Sequence, residues 1–292
     1  MATVTDTTGP AVARRGSDAS RFSRRTSILL VLPLLVLLGA FFLVPVARLL
    51  LTSLGGEGRG YGELLGDDTV RRAFVRTFRI SAEVTVISLV LGYFMAYTMW
   101  RSSRRVQTIC LALVLFPLLT SVVVRNYAWT TIFSRNGALN QLLDWLGLGS
   151  TSLLNTETAV LIGMSQVMMP FAVLPIWTVL NRLDPALYRS SLSLGGSPAQ
   201  TFRHVILPLS APGVTVAALL VFIVSVGFYV TPAILGGPRA TMVANVIDAE
   251  VNRYLDFRAG ASLSFLLLTV TLALVALAYR AFDVDRVLRE TS

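Results

Sequence analysis

Six long apolar runs, separated by shorter polar stretches, constrain this chain more than any other feature. A helix needs about 20 mostly apolar residues to cross a hydrocarbon core about 30 Å thick. Ile28 to Leu51 meets that length, and Val84 to Trp100 meets it once the run is extended upstream to about Phe74. Val106 to Val124, continuing towards Phe133, supplies a third run, and Thr158 to Leu180 a fourth. Ala211 to about Leu235 and Ala259 to Ala281 complete the set. Inside a bilayer no water satisfies the backbone, so such runs fold as helices. The expected fold class is an all-α membrane protein with six transmembrane helices.

Hydrophobic residues make up 54% of the 292 positions and charged residues 14%, which is far from soluble usage. All 25 basic residues are arginine. Without an amine there is no Schiff base, no pyridoxal-phosphate anchor and no phosphate-loop lysine, so this chain is not expected to hydrolyse ATP by a Walker-type site. One cysteine, Cys110, and one histidine, His204, leave no disulfide framework and too few soft ligands for zinc. An intramembrane enzyme would need paired aspartates, a serine–histidine pair or metal ligands inside the spans, and the apolar runs hold none. The formal charge of +9 does not point to nucleic acid, because the arginines sit between apolar runs rather than in a solvated stripe.

Their distribution sets the expected orientation. With the N-terminus in the cytoplasm, fourteen arginines fall inside: five before residue 28, then Arg101, Arg104, Arg105, Arg182, Arg189, Arg203, Arg280, Arg286 and Arg289. Seven fall outside: Arg59, Arg71, Arg72, Arg135, Arg239, Arg253 and Arg258. The excess places both termini in the cytoplasm of a multi-pass inner (plasma) membrane protein. Residues 1–27 read as a disordered cytoplasmic tail, 28–285 as the six-span domain and 286–292 as a short cytoplasmic tail. Ser23-Arg24-Arg25 faintly resembles a twin-arginine export signal, but the following run is long for a signal peptide and lacks a cleavage site, so it is read as an anchor.

The loop between the fourth and fifth spans, residues 181–210, carries unusually strong local signals. Asp184 is placed to cap a helix with Pro185 at its first position, and Leu183, Leu187, Ser190 and Leu194 fall near one face. Gly195 and Gly196 stop that helix. Ser197-Pro198-Ala199-Gln200 then forms a capping box that starts another, in which Phe202, Val205, Ile206 and Leu209 recur at helical spacing. Pro208 and Pro212 are expected to bend the chain into the membrane. Two readings remain open from the residues alone: a lever that passes on a partner's displacement, or a loop that only caps the bundle.

Leu194-Gly195-Gly196-Ser197 followed by Ile206-Leu207-Pro208 resembles the "E-A-A … G … I-x-L-P" cytoplasmic signature of permease subunits of bacterial ABC importers. Arg189, Ser190 and Ser191 stand where that signature has Glu-Ala-Ala. Pro117 to Asn140 is similar to the "P-x-x-x-S-x-x-V-R-x-Y-A-W … G-x-N" block of spermidine/putrescine-type permeases, and Leu235 to Arg239 resembles the loop after their fifth span. Related permeases for iron, thiamine or sulfate share the architecture. The resemblance implies a type I ABC importer permease fold, with a cytoplasmic coupling helix between spans 4 and 5. Arg189, Ser190, Ser191, Leu194, Gly195, Gly196, Ile206 and Pro208 would then serve ATPase coupling. It further implies a second homologous permease subunit, two ABC ATPase subunits and an extracytoplasmic solute-binding protein as partners, beside the lipid bilayer. No cofactor is expected on this chain; ATP and Mg belong to the ATPase.

A charge at the bilayer centre costs about 2.5 to 3.5 kcal/mol on insertion scales, so Glu83 needs a partner or water. It either faces a translocation cavity, attracting a cationic solute, or pairs with Arg79 four residues earlier. Arg125, Tyr127 and Trp129 close the third run, as interfacial anchors or as part of the pathway. Gly92, Tyr93 and Tyr97, like Gly227, Phe228 and Tyr229, read as helix-packing sites. A stand-alone secondary transporter would need ion-coupling groups at the midplane, and only Glu83 qualifies.

Overall fold

The computed structural model describes residues 24–281 except 56, 148, 150 and 151. Most of the expected N-terminal tail, with Arg14, Arg15 and Arg21, and the tail 286–292 lie outside the described residues. The elements, in order, are α1 (Arg24–Leu54), α2 (Tyr61–Gly66), α3 (Asp68–Arg101), α4 (Arg104–Leu119), α5 (Val122–Phe133), α6 (Ala138–Trp145), α7 (Glu157–Leu180), α8 (Pro185–Ser193), α9 (Pro198–Thr201), α10 (Leu207–Val226), α11 (Val243–Asp248) and α12 (Phe257–Ala281).

Among the described residues, five helical stretches are long and apolar enough to cross a membrane: Ile28–Leu54, Asp68–Arg101, Glu157–Leu180, Pro198–Val226 and Phe257–Ala278. The sixth is broken. Arg104–Leu119 and Val122–Trp145 pass the same test only together, and they meet at 101°. The expected straight third span is corrected accordingly. Its apolar character continues through the bend, while Thr120 and Ser121 interrupt the helix.

Met1–Arg48 and Leu49–Ser292 form two compact units. Within the first, the described side chains of α1 from Ile28 onward are almost all exposed, as suits a helix that is apolar all round and meets lipid. In the second, α7 is the central helix, flanked by α3 and α10. Both neighbours approach its backbone through glycine. A Cβ at Gly92 of α3 would lie 2.7 Å from Cβ of Ala172, and one at Gly213 of α10 would lie 2.9 Å from the Pro175 carbonyl oxygen. Lipid supplies no hydrophobic drive between helices, so close packing through small residues takes its place.

Two buried clusters lie along this three-helix core. One gathers Ile80, Val84, Val160, Met164, Val221 and Leu235. The other gathers Ala96, Met99, Val173, Ile176, Leu180 and Ile206. The second marks the elbow end of the bundle, where α7 passes into α8. The first lies towards the opposite end, where the chain from Val230 to Arg253 covers the helices. The fifth span ends at Val226, short of the expected Leu235. Gly227 caps it, and Pro232, which lacks an N–H, opens a separate π-helical turn, Pro232–Gly236. Gly227, Phe228 and Tyr229 therefore form the turn after the span rather than a packing site within it.

At that opposite end Arg59 ties the loop before α2 to the loop before α12. Its guanidinium bonds Glu250, whose side chain is only 6% exposed, and lies 3.5 Å from Asp67, while its backbone N–H donates to Asp256 at 3.0 Å. The hydrogen bond to Glu250 raises the Arg59 pKa. The Thr69 backbone N–H, at 2.7 Å, lowers that of Asp67. Burial alone would raise the Asp256 carboxyl, but the backbone N–H groups of Ala259 and Arg59 and the Arg59 charge bring it below its ordinary value. For both aspartates the folded pKa is depressed. Their stabilisation is therefore complete above the unfolded value, about 3.9, and is lost as pH falls through the lower folded values.

Arg59→Ala strands Glu250 and is expected to cost on the order of 2 kcal/mol. Thermal unfolding of the purified protein in detergent reads the loss, and adding Glu250→Gln to the variant should recover part of it.

Candidate functional site

The elbow follows from the local sequence. The Asp184 carboxylate accepts the Ala186 N–H at 2.8 Å, with Pro185 at the first position of α8. The helix ends in a Schellman motif: Gly195 N–H donates to Leu192 O at 3.0 Å and Gly196 N–H to Ser191 O at 3.1 Å. Gly195 takes φ +87°, a left-handed conformation costly for other residues, in otherwise open space. Gly196 serves differently, since a Cβ there would sit 2.9 Å from the Ser191 carbonyl oxygen. The Ser197–Gln200 capping box is formed in both directions, at 2.8 and 3.3 Å. Ser191, at a signature alanine position, pairs its hydroxyl with that of Thr201 at 2.8 Å and closes the elbow.

Pro208 and Pro212, expected to bend the chain, do not interrupt the helix. Helix runs on from Pro198 to Val226 through a π-helical turn, Phe202–Ile206. The Leu207 N–H reaches back five residues to Phe202 O, and this wider turn admits Pro208 without breaking the helix. Ile206 is fully buried.

The shared face of α8 is largely uncovered. Leu187 and Leu194 point outward, Leu194 being 88% exposed, and Arg189 and Ser190 are exposed beside them. The inward anchor is Tyr188. Its ring packs edge-on against Trp100 at 6.4 Å, and the Arg101 guanidinium lies 4.1 Å above it. Phe202 receives Tyr93 and Tyr97 edge-to-face at 5.6 and 5.3 Å, and the Tyr93 hydroxyl pairs with Ser210 at 2.8 Å. Sequence reading passed over Tyr188, Trp100, Arg101 and Phe202 as anchors, although Tyr93, Tyr97 and Trp100 already shared one face of α3 at i, i+4, i+7 spacing. His204 is exposed, its Nδ1 3.0 Å from Gln200 O.

Near the middle of α3, Glu83 lies 3.7 Å from Arg79, so the pair with Arg79 is formed. Arg79 also bonds Glu157, which Arg76 approaches at 3.3 Å. Glu83 stays half-exposed. Beside it is an open groove of about 310 Å³ lined by Arg71, Arg72, Val75, Arg76, Arg79 and Glu157.

Arg125 has a structural task at the bend. Its guanidinium donates to the carbonyls of Pro117 and Thr120, the latter at 2.9 Å, so a cation caps the open C-terminus of α4. Trp129 is not an exposed anchor: its indole N–H donates to Gln166 at 3.0 Å and its ring stacks on Phe133 at 4.8 Å. Tyr127 alone of the three remains well exposed.

Residues 88–287 match the binding-protein-dependent transport system inner membrane component family. The chain belongs to this family. It is 31% identical over 221 residues to the spermidine/putrescine transport system permease protein PotB of Escherichia coli (strain K12), covering 75% of this chain and 80% of that one. With the protein of the same name from Haemophilus influenzae (strain ATCC 51907 / DSM 11121 / KW20 / Rd) it shares 33% identity over 204 residues, 68% of this chain and 70% of the other. A solved bacterial ABC transporter involved in the import of the acidic polysaccharide alginate has a chain of the same fold, with a TM-score of 0.77 at 16% identity, covering 90% of this chain and 96% of that one. The chain is thus a multi-pass inner-membrane permease of an ABC importer, with the type I importer permease fold, and is a transport component rather than an enzyme.

Removing the cap in Arg125→Ala is expected to destabilise the protein by about 1 to 2 kcal/mol, with Arg125→Lys retaining part of the stability. Chemical denaturation in detergent checks this, and an unchanged midpoint would leave Arg125 no role at the bend.

Proposed function

We propose that this permease forms half of a translocation pathway for a polyamine or related small cation, with the elbow on the cytoplasmic side and both termini in the cytoplasm. The observation that carries this reading is the stiff, closed elbow holding Leu194 out at 88% exposure. An exposed apolar side chain on a fixed turn is suited to insertion into a partner's groove. The partners proposed are two ATPase subunits carrying ATP and Mg, a second homologous permease subunit and an extracytoplasmic solute-binding protein. Closure of the ATPase pair would pull the segment Arg189 to Gly196. Ile206 and Pro208 would pass the motion into α10, so that the spans rock between inward-open and outward-open states. The partner's unequal contacts with those two states supply the bias.

The names of the PotB relatives support the polyamine, and Glu83 of the second span, with Arg125, Tyr127 and Trp129 of the third, is proposed for the pathway. One observation favours a second reading. Arg71, Arg72, Arg76 and Arg79 line the groove beside Glu83, and Glu157 is already engaged by two of them. Such a mouth suits an anionic solute such as sulfate. Uptake of labelled spermidine and of labelled sulfate by the complete importer in proteoliposomes separates the two.

Gly195→Val forces a β-branched residue to φ +87° and is expected to lower solute-stimulated ATPase activity and transport at least fivefold, with membrane insertion unchanged; full coupling would overturn the lever. Glu83→Gln is expected to raise the KM for a cationic solute several-fold, and an unaltered KM would return Glu83 to a purely structural pair.

A further inference from the structure

Arg101 and Arg189 converge on one groove of about 300 Å³ at the elbow, lined also by Trp100, Pro185 and Tyr188. We propose that this groove receives a carboxylate of the ATPase subunit, an inference that rests on the reading of the elbow as the ATPase-docking surface. Arg101 is already positioned for the task, its guanidinium stacked 4.1 Å above the Tyr188 ring, which Trp100 in turn buttresses. Stacking uses the face of the guanidinium and leaves its in-plane N–H donors free, a fork that matches a carboxylate. Neither the Arg101 nor the Arg189 side chain has a hydrogen-bond or ion-pair acceptor among the described residues.

Among the described residues of the elbow the one acid, Asp184, is committed to the Ala186 N–H, while Arg182 and Arg203 add positive charge. A basic rim of this kind calls for an acidic counterpart, and like charge opposite it would be strongly unfavourable. Arg189 stands at the position of the signature glutamate, so the sign of the charge offered to the motor is inverted here.

Anionic lipid phosphate could supply the same charge, but the rim also carries Leu187, Leu192 and Leu194 as exposed apolar side chains. Leucines set among arginines on a short helix outside the spans have the make-up of a protein interface: an apolar centre with a polar rim. The groove is therefore assigned to the ATPase.

The test uses the complete importer, co-purified with the tagged chain from its native host and placed in nanodiscs of neutral or anionic lipid. Arg189→Glu and Arg101→Gln are each expected to weaken retention of the ATPase subunit about tenfold or more, a change of about 1.4 kcal/mol per decade, and to flatten its salt dependence. Arg189→Lys should restore most of the binding. In the Arg189→Glu background, reversing acidic residues one by one on the ATPase groove should find one that recovers both binding and solute-stimulated ATPase activity. Retention within twofold of wild type for both variants would overturn the proposal. So would a loss that appears only with anionic lipid and that no ATPase reversal rescues, since that pattern assigns the arginines to lipid. In parallel, Leu194→Cys in a Cys110→Ser background should crosslink to cysteines placed in the ATPase groove. No crosslink would overturn the docking reading and this inference with it; a crosslink together with silent arginine variants would overturn this inference alone.

Discussion

Within Leu49–Ser292 the core is built by packing α3 and α10 against α7, and what permits it is the absence of side chains at two points. Gly92 of α3 and Gly213 of α10 let both helices touch the α7 backbone, at Ala172 and at Pro175 to Ile176. In lipid, apolar side chains gain little by leaving one apolar surface for another, so dispersion at short range decides which helices associate. The small polar groups buried there follow the same logic: Ser88 on α3 reaches the Ser165 carbonyl on α7 at 3.5 Å. A larger residue at either contact would separate the helices that hold the elbow.

The elbow inherits its rigidity from two independent sources. One is local, the Asp184 cap, the Schellman turn at Gly195 and Gly196, and the Ser197–Gln200 box, all set within a few residues of chain. The other is tertiary, the packing of Tyr188 on Trp100 and of Phe202 on Tyr93 and Tyr97. The first keeps the two short helices at a fixed angle, and the second fastens them to α3. A lever needs both, because a stiff arm that is not anchored transmits nothing. The π-helical turn at Phe202–Ile206 carries the same continuity into α10 past Pro208.

The parts read correctly from sequence are those governed by neighbours along the chain. Hydropathy located the spans, and cap residues located both ends of α8 and the start of α9, because a cap is decided by the three or four residues around it. Hydropathy could not see the bend at Thr120 and Ser121, since the residues on both sides stay apolar whether the helix turns or not. Arg125 and Trp129 were read as interfacial anchors or pathway residues for the same reason. Their partners, the Pro117 and Thr120 carbonyls and Gln166, are brought to them by the bend and by α7. Periodicity grouped the leucines of α8 on one face, but it identifies a face and not the side from which it is covered.

The amino-acid sequence by itself determined that this chain lives in a membrane as a helical bundle, which residues begin and end its helices, and that it has the elbow of its family. These follow from backbone hydrogen bonding without water and from short-range capping, neither of which needs a distant partner. Only the tertiary structure decided that α7 would be central, that Arg59 would bridge two loops through Glu250 and Asp256, and that Arg101 would come to rest over Tyr188. Each of those joins residues from about 40 to about 200 positions apart, and contacts of that span are chosen by packing among whole helices, which no local pattern encodes.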